Sequence, residues 1–448
     1  MSSSDTIDVS TASAATHSRY DEYADSGVEW LGEVPAHWDV LSLKYAAQII
    51  QDKLDEKPEN LPYLGLEHIE SETGRLVKEE PAEGVSSTVR HFKEGDVLFS
   101  KLRPYLAKVY LAETEGVGTT ELIALRSKVE ICEKYLAYQL LSKGFIDRVD
   151  SMTYGAKMPR VSPEQVGARL IALPSFDEQR AIAAFLDRET ERIDALIEKK
   201  ERLIDLLEEM RATEVLAVAT GRNNESEFKW SGYPRYGDIP EEWRVSSLKW
   251  IADIDYGHTV QLDRTATEGV PIISLPNVSK SGQLDLEDVP FADLSSDELE
   301  GTLLRPGDLL FNWRSGSADH VGKTAYFDED GVYTHVSFLL RIRFDREDYN
   351  PRYFQMLFNG LRGAGYFSAA KNKVNRTFNQ TELGNLKIVV PSKDEQDRIA
   401  SYLHKRTARI DTLVRKVKEG IVRLKEYRAA LISAAVTGQI DVREKVQL

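Results

Sequence analysis

Two Lys-x-x-Arg pairs stand 216 positions apart, Lys157 and Arg160 in "GAKMPRV" and Lys373 and Arg376 in "KNKVNRT". A second matched pair of segments follows a shared Gly-Asp-x-Leu-Phe: Lys101, Arg103 and Tyr105 in "FSKLRPY", and Asn312, Trp313 and Arg314 in "FNWRS". Lys371, Asn372 and Asn375 surround the second cation pair. These residue types suit nucleic-acid contact. Arg and Lys reach phosphates or the acceptors of guanine, and Asn can pair bidentately with the edge of adenine. Each also has a plainer reading, as a surface cation or a loop side chain capping local backbone. Trp313 fits a core equally well, and Pro104 fits the stiffening of a turn.

Chemistry of other kinds finds no support. No Walker-type phosphate loop and no Gly-x-Gly-x-x-Gly occurs, nor any Asn-Pro-Pro-aromatic or Asp-Pro-Pro-aromatic motif of amino-methyltransferases. None of the 8 histidines is paired at metal-ligand spacing on a helix, and the lone Cys132 excludes an internal disulfide or a cysteine-rich metal site. No run approaches the ~20 apolar residues of a membrane span, and the polar opening "MSSSDTIDVSTASAATHS" lacks the apolar stretch of a secretory signal. The expectation is a cytoplasmic protein without membrane contact. Its net charge of -15 opposes wholesale attraction to DNA, so any such binding must use locally basic faces or a partner.

The elements that would position these residues are written twice. "IALPSFDEQRAIAAFLD" from Ile171 returns as "IVVPSKDEQDRIASYLH" from Ile388, an offset of 217; "WLGEVPAHWDVLSLKYAAQI" returns as "RYGDIPEEWRVSSLKWIADI" at 205, and "EGDVLFSKLRP" as "PGDLLFNWRSG" at 212. Matching blocks with drifting offsets indicate two homologous domains with insertions between the blocks. Alternating runs such as "ELIALRSKV" and "VYTHVSFLLRIRF" predict strands. "CEKYLAYQLLSKGFIDRV" and "NPRYFQMLFNGLRG" predict one helix per copy, so the modules are mixed α and β. Trp38 and Trp243 recur in the frame, where hydrophobic staples are expected.

Pro174 with Ser175-x-x-Glu178, and Pro391 with Ser392-x-x-Glu395, each signal a strand end followed by a capped helix start. Gly221 and Gly438 suit the left-handed position beyond a helix end. Each helix then spans about 44 residues, roughly 65 Å. Heptad spacing predicts a seam of Ile182, Leu196, Leu203 and Met210 in one register with Leu186, Ile193 and Leu207 in the other; in the second helix, Ile399, Leu413 and Tyr427 are joined by Leu403, Ile410, Val417, Leu424 and Leu431. Ser175–Val218 carries 12 acidic and 7 basic residues, and Ser392–Ala435 carries 6 acidic and 11 basic. Opposite balances predict that the two helices pair with each other, antiparallel, although two solvated charged faces would also satisfy the counts.

The segments "SGVEWLGEVPAHW" and "SGYPRYGDIPEEW", the paired P-S-x-D-E-Q boundaries and the "ERIDALI" and "ARIDTLV" helices resemble the specificity (S) subunits of Type I restriction-modification systems. The resemblance implies an α+β chain of two target-recognition domains, each followed by a long helix, the helices forming an antiparallel coiled coil with pseudo-two-fold symmetry. The implied layout is a disordered tail (1–18), a first recognition domain (19–174), a first helix (175–221), a second recognition domain (222–391), a second helix (392–438) and a C-terminal tail (439–448). It implies that each domain reads half of a bipartite double-stranded DNA target. The helices would set the gap and dock two methyltransferase (M) subunits, with two motor-nuclease (R) subunits in the restricting complex. Lys101, Arg103, Tyr105, Lys157, Arg160, Asn312, Trp313, Arg314, Lys371, Asn372, Lys373, Asn375 and Arg376 become candidate DNA contacts. No catalytic residue, metal or cofactor is expected in this chain; S-adenosylmethionine, and ATP with Mg for restriction, would serve the assembled complex. The different interiors of the copies imply an asymmetric target. The rival expectations are the recognition part of a single-chain enzyme, which the missing catalytic motifs oppose, and a coiled-coil scaffold that never touches DNA.

Overall fold

Val97–Ser100 and Leu309–Asn312 are short apolar runs bounded by turns, and each is buried along its whole length. Such a run belongs at the centre of a sheet covered on both faces. In the computed structural model each is an inner strand of a four-stranded antiparallel sheet. The first sheet runs Val109–Leu111, Val97–Ser100, Leu122–Ser127, Ala47–Ile50. The second repeats that order with Thr324–Tyr326, Leu309–Asn312, Leu339–Arg343 and Asp253–Tyr256. The structure describes residues 18–55, 61–77, 80–81, 88–128, 130–155, 157–222, 226–260, 262, 268–315, 320–344, 346–367 and 376–443. The expected N-terminal tail, apart from its last residue, lies outside that range.

The chain divides into two units, Met1–Lys200 with Lys418–Leu448, and Glu201–Val417. In the first, Phe99 and Ile123 pack with Leu136, Leu140 and Phe145; in the second, Phe311 and Leu340 pack with Phe354, Leu357 and Phe358. A further small sheet in each unit contains a parallel pairing, Val117 with Tyr63 and Ile272 with Thr334. The helical expectation needs one correction. "CEKYLAYQLLSKGFIDRV" forms two helices, Glu133–Leu141 and Lys143–Asp150. The break is Ser142, which takes an extended backbone (φ -63, ψ 139) while its hydroxyl donates to the Gln139 carbonyl at 2.7 Å. Its counterpart Pro351–Gly363 is continuous.

The repeated Gly-Asp before each central strand is structural. Asp96 and Asp308 are buried and accept bidentate bonds from Arg126 (2.7 and 2.8 Å) and Arg343 (2.7 and 2.6 Å) on the adjacent strand. That hydrogen bond to the carboxylate pushes the Arg126 pKa up.

Both long helices contain 44 residues, Phe176–Ala219 and Lys393–Val436. Ser175 and Ser392 accept from the Glu178 and Glu395 amides at a long 3.4 Å. The glutamate carboxylates face the frame tryptophans: Trp38 Nε1 donates to Glu178 at 3.1 Å and Trp243 Nε1 to Glu395 at 2.7 Å. The staple positions therefore also anchor the helix starts. Gly221 and Gly438 sit at φ +81° and +70°, against Pro240 and Pro35. Residues 439–443 pack against their unit, with Ile440 and Val442 buried and the Asp441 amide donating to the Ser18 carbonyl at 2.8 Å; the rest of the expected C-terminal tail lies outside the described residues.

The helices pair antiparallel. In the first unit Asp194 accepts from Arg428 at 3.0 Å; in the second Arg211 meets Asp411 at 3.2 Å and Arg406 meets Glu214 at 2.8 Å. Asp194 and Arg428 are both buried. Burial also raises the Asp411 pKa, against the pull of Arg211. A buried tyrosine closes each unit on the same plan: Tyr135 donates to the carbonyl of Ala172 (2.9 Å), and Tyr353 to those of Ala219 (2.9 Å) and Val389 (3.1 Å).

Half of the seam register is displaced. Leu186, Ile193, Leu403, Ile410 and Leu431 are buried, and Leu207, Val417 and Leu424 are partly so. Leu196, Leu203, Met210 and Leu413 are instead 41%, 44%, 45% and 50% exposed. Their inward places belong to Ala183, Thr190, Ile197, Ile204 and Arg211, and to Ala400, Thr407, Val414, Ile421 and Arg428, one residue further along. The inward companion of Leu186, Ile193 and Leu207 thus stands four residues on, at Thr190, Ile197 and Arg211, and not three residues on, while the heptad spacing itself is kept. Ile399 and Tyr427, of the same displaced register, remain half-buried.

Candidate nucleic-acid interface

In the first unit the strand Val97–Ser100 delivers the chain into Lys101–Tyr105, and three backbone bonds fasten that loop. Lys101 donates to the Glu121 carbonyl (3.0 Å), Arg103 to that of Pro159 (2.8 Å), and Val161 to that of Lys101 (3.0 Å). Tyr154 and Arg160 exchange two further bonds of 3.0 Å across the second loop. The two candidate segments, some 55 positions apart in the chain, therefore form one surface. Arg103 adopts a left-handed backbone (φ 50, ψ 62), a conformation that costs a non-glycine residue energy and clusters at functional sites. Buried Pro104 follows it and opens a single helical turn, Pro104–Leu106. Arg103, Tyr105 and Lys157 are exposed, and Lys101 is half-buried.

Arg160 is committed to a partner. Its Nε and Nη2 donate to the two carboxylate oxygens of Glu121 at 3.2 and 3.3 Å, and this pairing pushes its pKa up. Tyr154 and Met158 complete the rim, both exposed. Sequence reading missed Glu121, Tyr154 and Met158. Glu121 carries a signal in hindsight, because it stands immediately before a matched strand at a position where the copies differ.

The second unit builds its counterpart differently. Arg314–Ser315 pairs antiparallel with Arg376–Thr377, and the Phe378 amide donates to the Trp313 carbonyl at 2.7 Å. The segment after Gly-Asp-Leu-Leu-Phe is again joined to the segment that ends at Arg376. Two expectations change here. Asn312 is fully buried, and its Oδ1 accepts from the Arg314 amide at 3.2 Å, so it caps the local turn and presents no edge for a base. Trp313 donates to the Ser337 carbonyl at 2.6 Å, packs edge-on against Tyr256 and lies partly buried against the core, so its ring is engaged within the unit. Arg314 is exposed and lies over the ring of Phe338, itself exposed, at 5.8 Å. Lys371, Asn372, Lys373 and Asn375 lie outside the described residues, and of Arg376 only the backbone strand is described.

Among the described residues no group of His, Cys, Asp or Glu is arranged to hold a metal ion, and no helix is long and apolar enough to cross a membrane.

Duplicated mixed α/β modules, each bearing a joined pair of cation-rich loops and tied to antiparallel long helices, define the class of architecture. A family model described as the Type I restriction modification DNA specificity domain matches residues 240–422. The chain is 27% identical over 435 residues to the Type I restriction enzyme MjaVIII specificity subunit of Methanocaldococcus jannaschii, covering 92% of this chain and 94% of that protein. It is 22% identical over 330 residues to the EcoKI specificity subunit of Escherichia coli K12, covering 72% and 69%. A solved chain from a study of complex assembly and conformational transition of the type I R-M system shares the fold, with a TM-score of 0.69 at 20% identity over 90% of this chain and 98% of that one. By these matches the chain is similar, over most of its length, to Type I restriction-modification specificity subunits.

Proposed function

We propose that this chain is the non-catalytic DNA-recognition subunit of a Type I restriction-modification complex, each unit reading one half of an asymmetric bipartite target. One observation carries the reading: in both units the segment after Gly-Asp-x-Leu-Phe is joined by backbone bonds to the segment of the Lys-x-x-Arg pair, on different side chains in each. Common scaffolding with unlike contact residues is what two different half-sites require. The paired helices set the gap between the half-sites and dock two methyltransferase subunits; two motor-nuclease subunits join the restricting complex. S-adenosylmethionine, ATP and Mg belong to those partners. The partners' DNA-embracing surfaces offset the charge of -15, leaving this chain small positive faces to present. Acting on chromosomal DNA places the complex in the cytoplasm.

The test is a genome-wide map of methylated adenines in the host with and without the gene. Loss of one bipartite, non-palindromic motif is expected. A palindromic motif refutes the asymmetry. With no change in the map, salt-independent DNA retention by the complex with its methyltransferase overturns the reading in favour of a scaffold.

A further inference from the structure

Arg160 and Glu121 form the most constrained charged group on the joined loops of the first unit. The guanidinium is gripped side-on, Nε and Nη2 on the two oxygens of one carboxylate. Among the described residues no hydrogen bond engages Nη1. The end-on edge of the fork, Nη1 with the second Nη2 proton, therefore remains to donate two parallel bonds. Guanine O6 and N7 are the matching acceptors in the major groove. Both residues are also held through their backbones: Arg160 by its two bonds with Tyr154 and a bridge to Leu102, and Glu121 by the amide of Lys101. A guanidinium fixed in plane and direction before contact gives up little side-chain freedom on binding.

The second unit shows that this device is not general scaffolding. Leu122 pairs with Ser100 in the first sheet as Leu339 pairs with Asn312 in the second, so the residues just before them, Glu121 and Phe338, are equivalent. One unit has a carboxylate there under an arginine; the other has an exposed ring under Arg314. A ring offers apolar contact, the kind a thymine methyl accepts, and cannot orient a guanidinium by paired bonds.

We infer that Arg160 reads a guanine in the half-site bound by the first unit, and that Glu121 is the positioning residue that aims it. The inference rests on the DNA-recognition reading above. Its test uses the purified complex of this chain with its methyltransferase partner and a randomised duplex library. The wild-type complex is expected to enrich a bipartite motif with a guanine in one half. Arg160→Ala loses the preference for that guanine roughly tenfold or more, with every other position unchanged. Glu121→Gln weakens the preference at the same base pair severalfold. Arg160→Lys keeps the cation but not the fork, so a guanine preference weakened there at unchanged overall affinity separates base reading from a folding defect, and an undiminished preference overturns the aimed-fork geometry of the proposal. Uniform weakening across sequences in Arg160→Ala, with a salt slope shallower by about one, would make the residue a phosphate contact and also overturn it. A wild-type complex that enriches no motif sinks the underlying reading instead.

Discussion

The two units keep the same frame and spend their differences in a few places. Strand order, buried Asp-Arg pair, closing tyrosine and helix anchor agree between copies, down to Asp96 with Asp308 and Trp38 with Trp243. The loops after the central strands do not: Glu121 answers to Phe338, and half-buried Lys101 to Trp313, which packs against the core of its unit. On the function proposed above, the difference means that recognition and folding are carried by separate residues. Contacts can then diverge without loosening the core.

The strongest way to break this comparison is to exchange residues 40–170 for the equivalent region of another family member. One half-site of the methylated motif should be replaced whole, the other kept, as read by sequencing of methylated DNA. A change in both halves would mean that the units do not read independently.

A smaller effect sharpens the seam. Leu186→Ala and Leu403→Ala, fully buried at equivalent positions, should each cost about 3 kcal/mol in denaturant unfolding, whereas Leu203→Ala and Leu413→Ala should stay within about 0.5 kcal/mol. Equal costs across all four would restore the uncorrected heptad.

Acid should separate the units. His335 is buried, and loss of hydration, reinforced by Arg341 and His258, pushes its pKa down to about 3. Gly118 pairs with Leu64 as His335 pairs with Ile273, so the first unit has no ionisable group at that place. Because the unfolded chain takes up the proton first, the stability tied to neutral His335 is complete above pH ~6.5 and falls as pH drops toward about 3. On the order of 2 kcal/mol should be lost from the second unit by pH ~5. Hydrogen exchange resolved by peptide would show it, and His335→Gln should abolish the slope.

The smallest expected effect is at the helix ends. Gly221→Ala and Gly438→Ala impose a side chain at φ +81° and +70°, with the new Cβ only 2.6 and 2.3 Å from Pro240 and Pro35 before any adjustment. Losses of ~1–2 kcal/mol, similar in the two copies, are expected in thermal unfolding. Unequal losses would show that the matched ends are packed unlike.

Much of the frame was legible because it is written in strong, duplicated signals: a Pro-Ser-x-x-Glu boundary, a terminal glycine and alternating strands. The two seam errors had a common cause. Thr190, Arg211, Thr407 and Arg428 do not look like core residues, yet each points inward, the arginines because Asp411 and Asp194 await them. The loops were legible as candidates but not as geometry. Asn312 exposes nothing because it ends an inner strand, and Glu121 entered no motif because its role exists only once Arg160 is brought across from 39 positions away.

The first unit is assembled from Met1–Lys200 and Lys418–Leu448, with Tyr23 donating to the Gly438 carbonyl and Gln439 to that of Glu33. During synthesis its own last helix half is therefore missing while all of Glu201–Val417 is made. At ~5–20 residues per second that interval is roughly 10–40 s. The second unit, contiguous in the chain, can close first; the first must wait with its seam uncovered, and is where chaperones and proteases would meet the nascent protein.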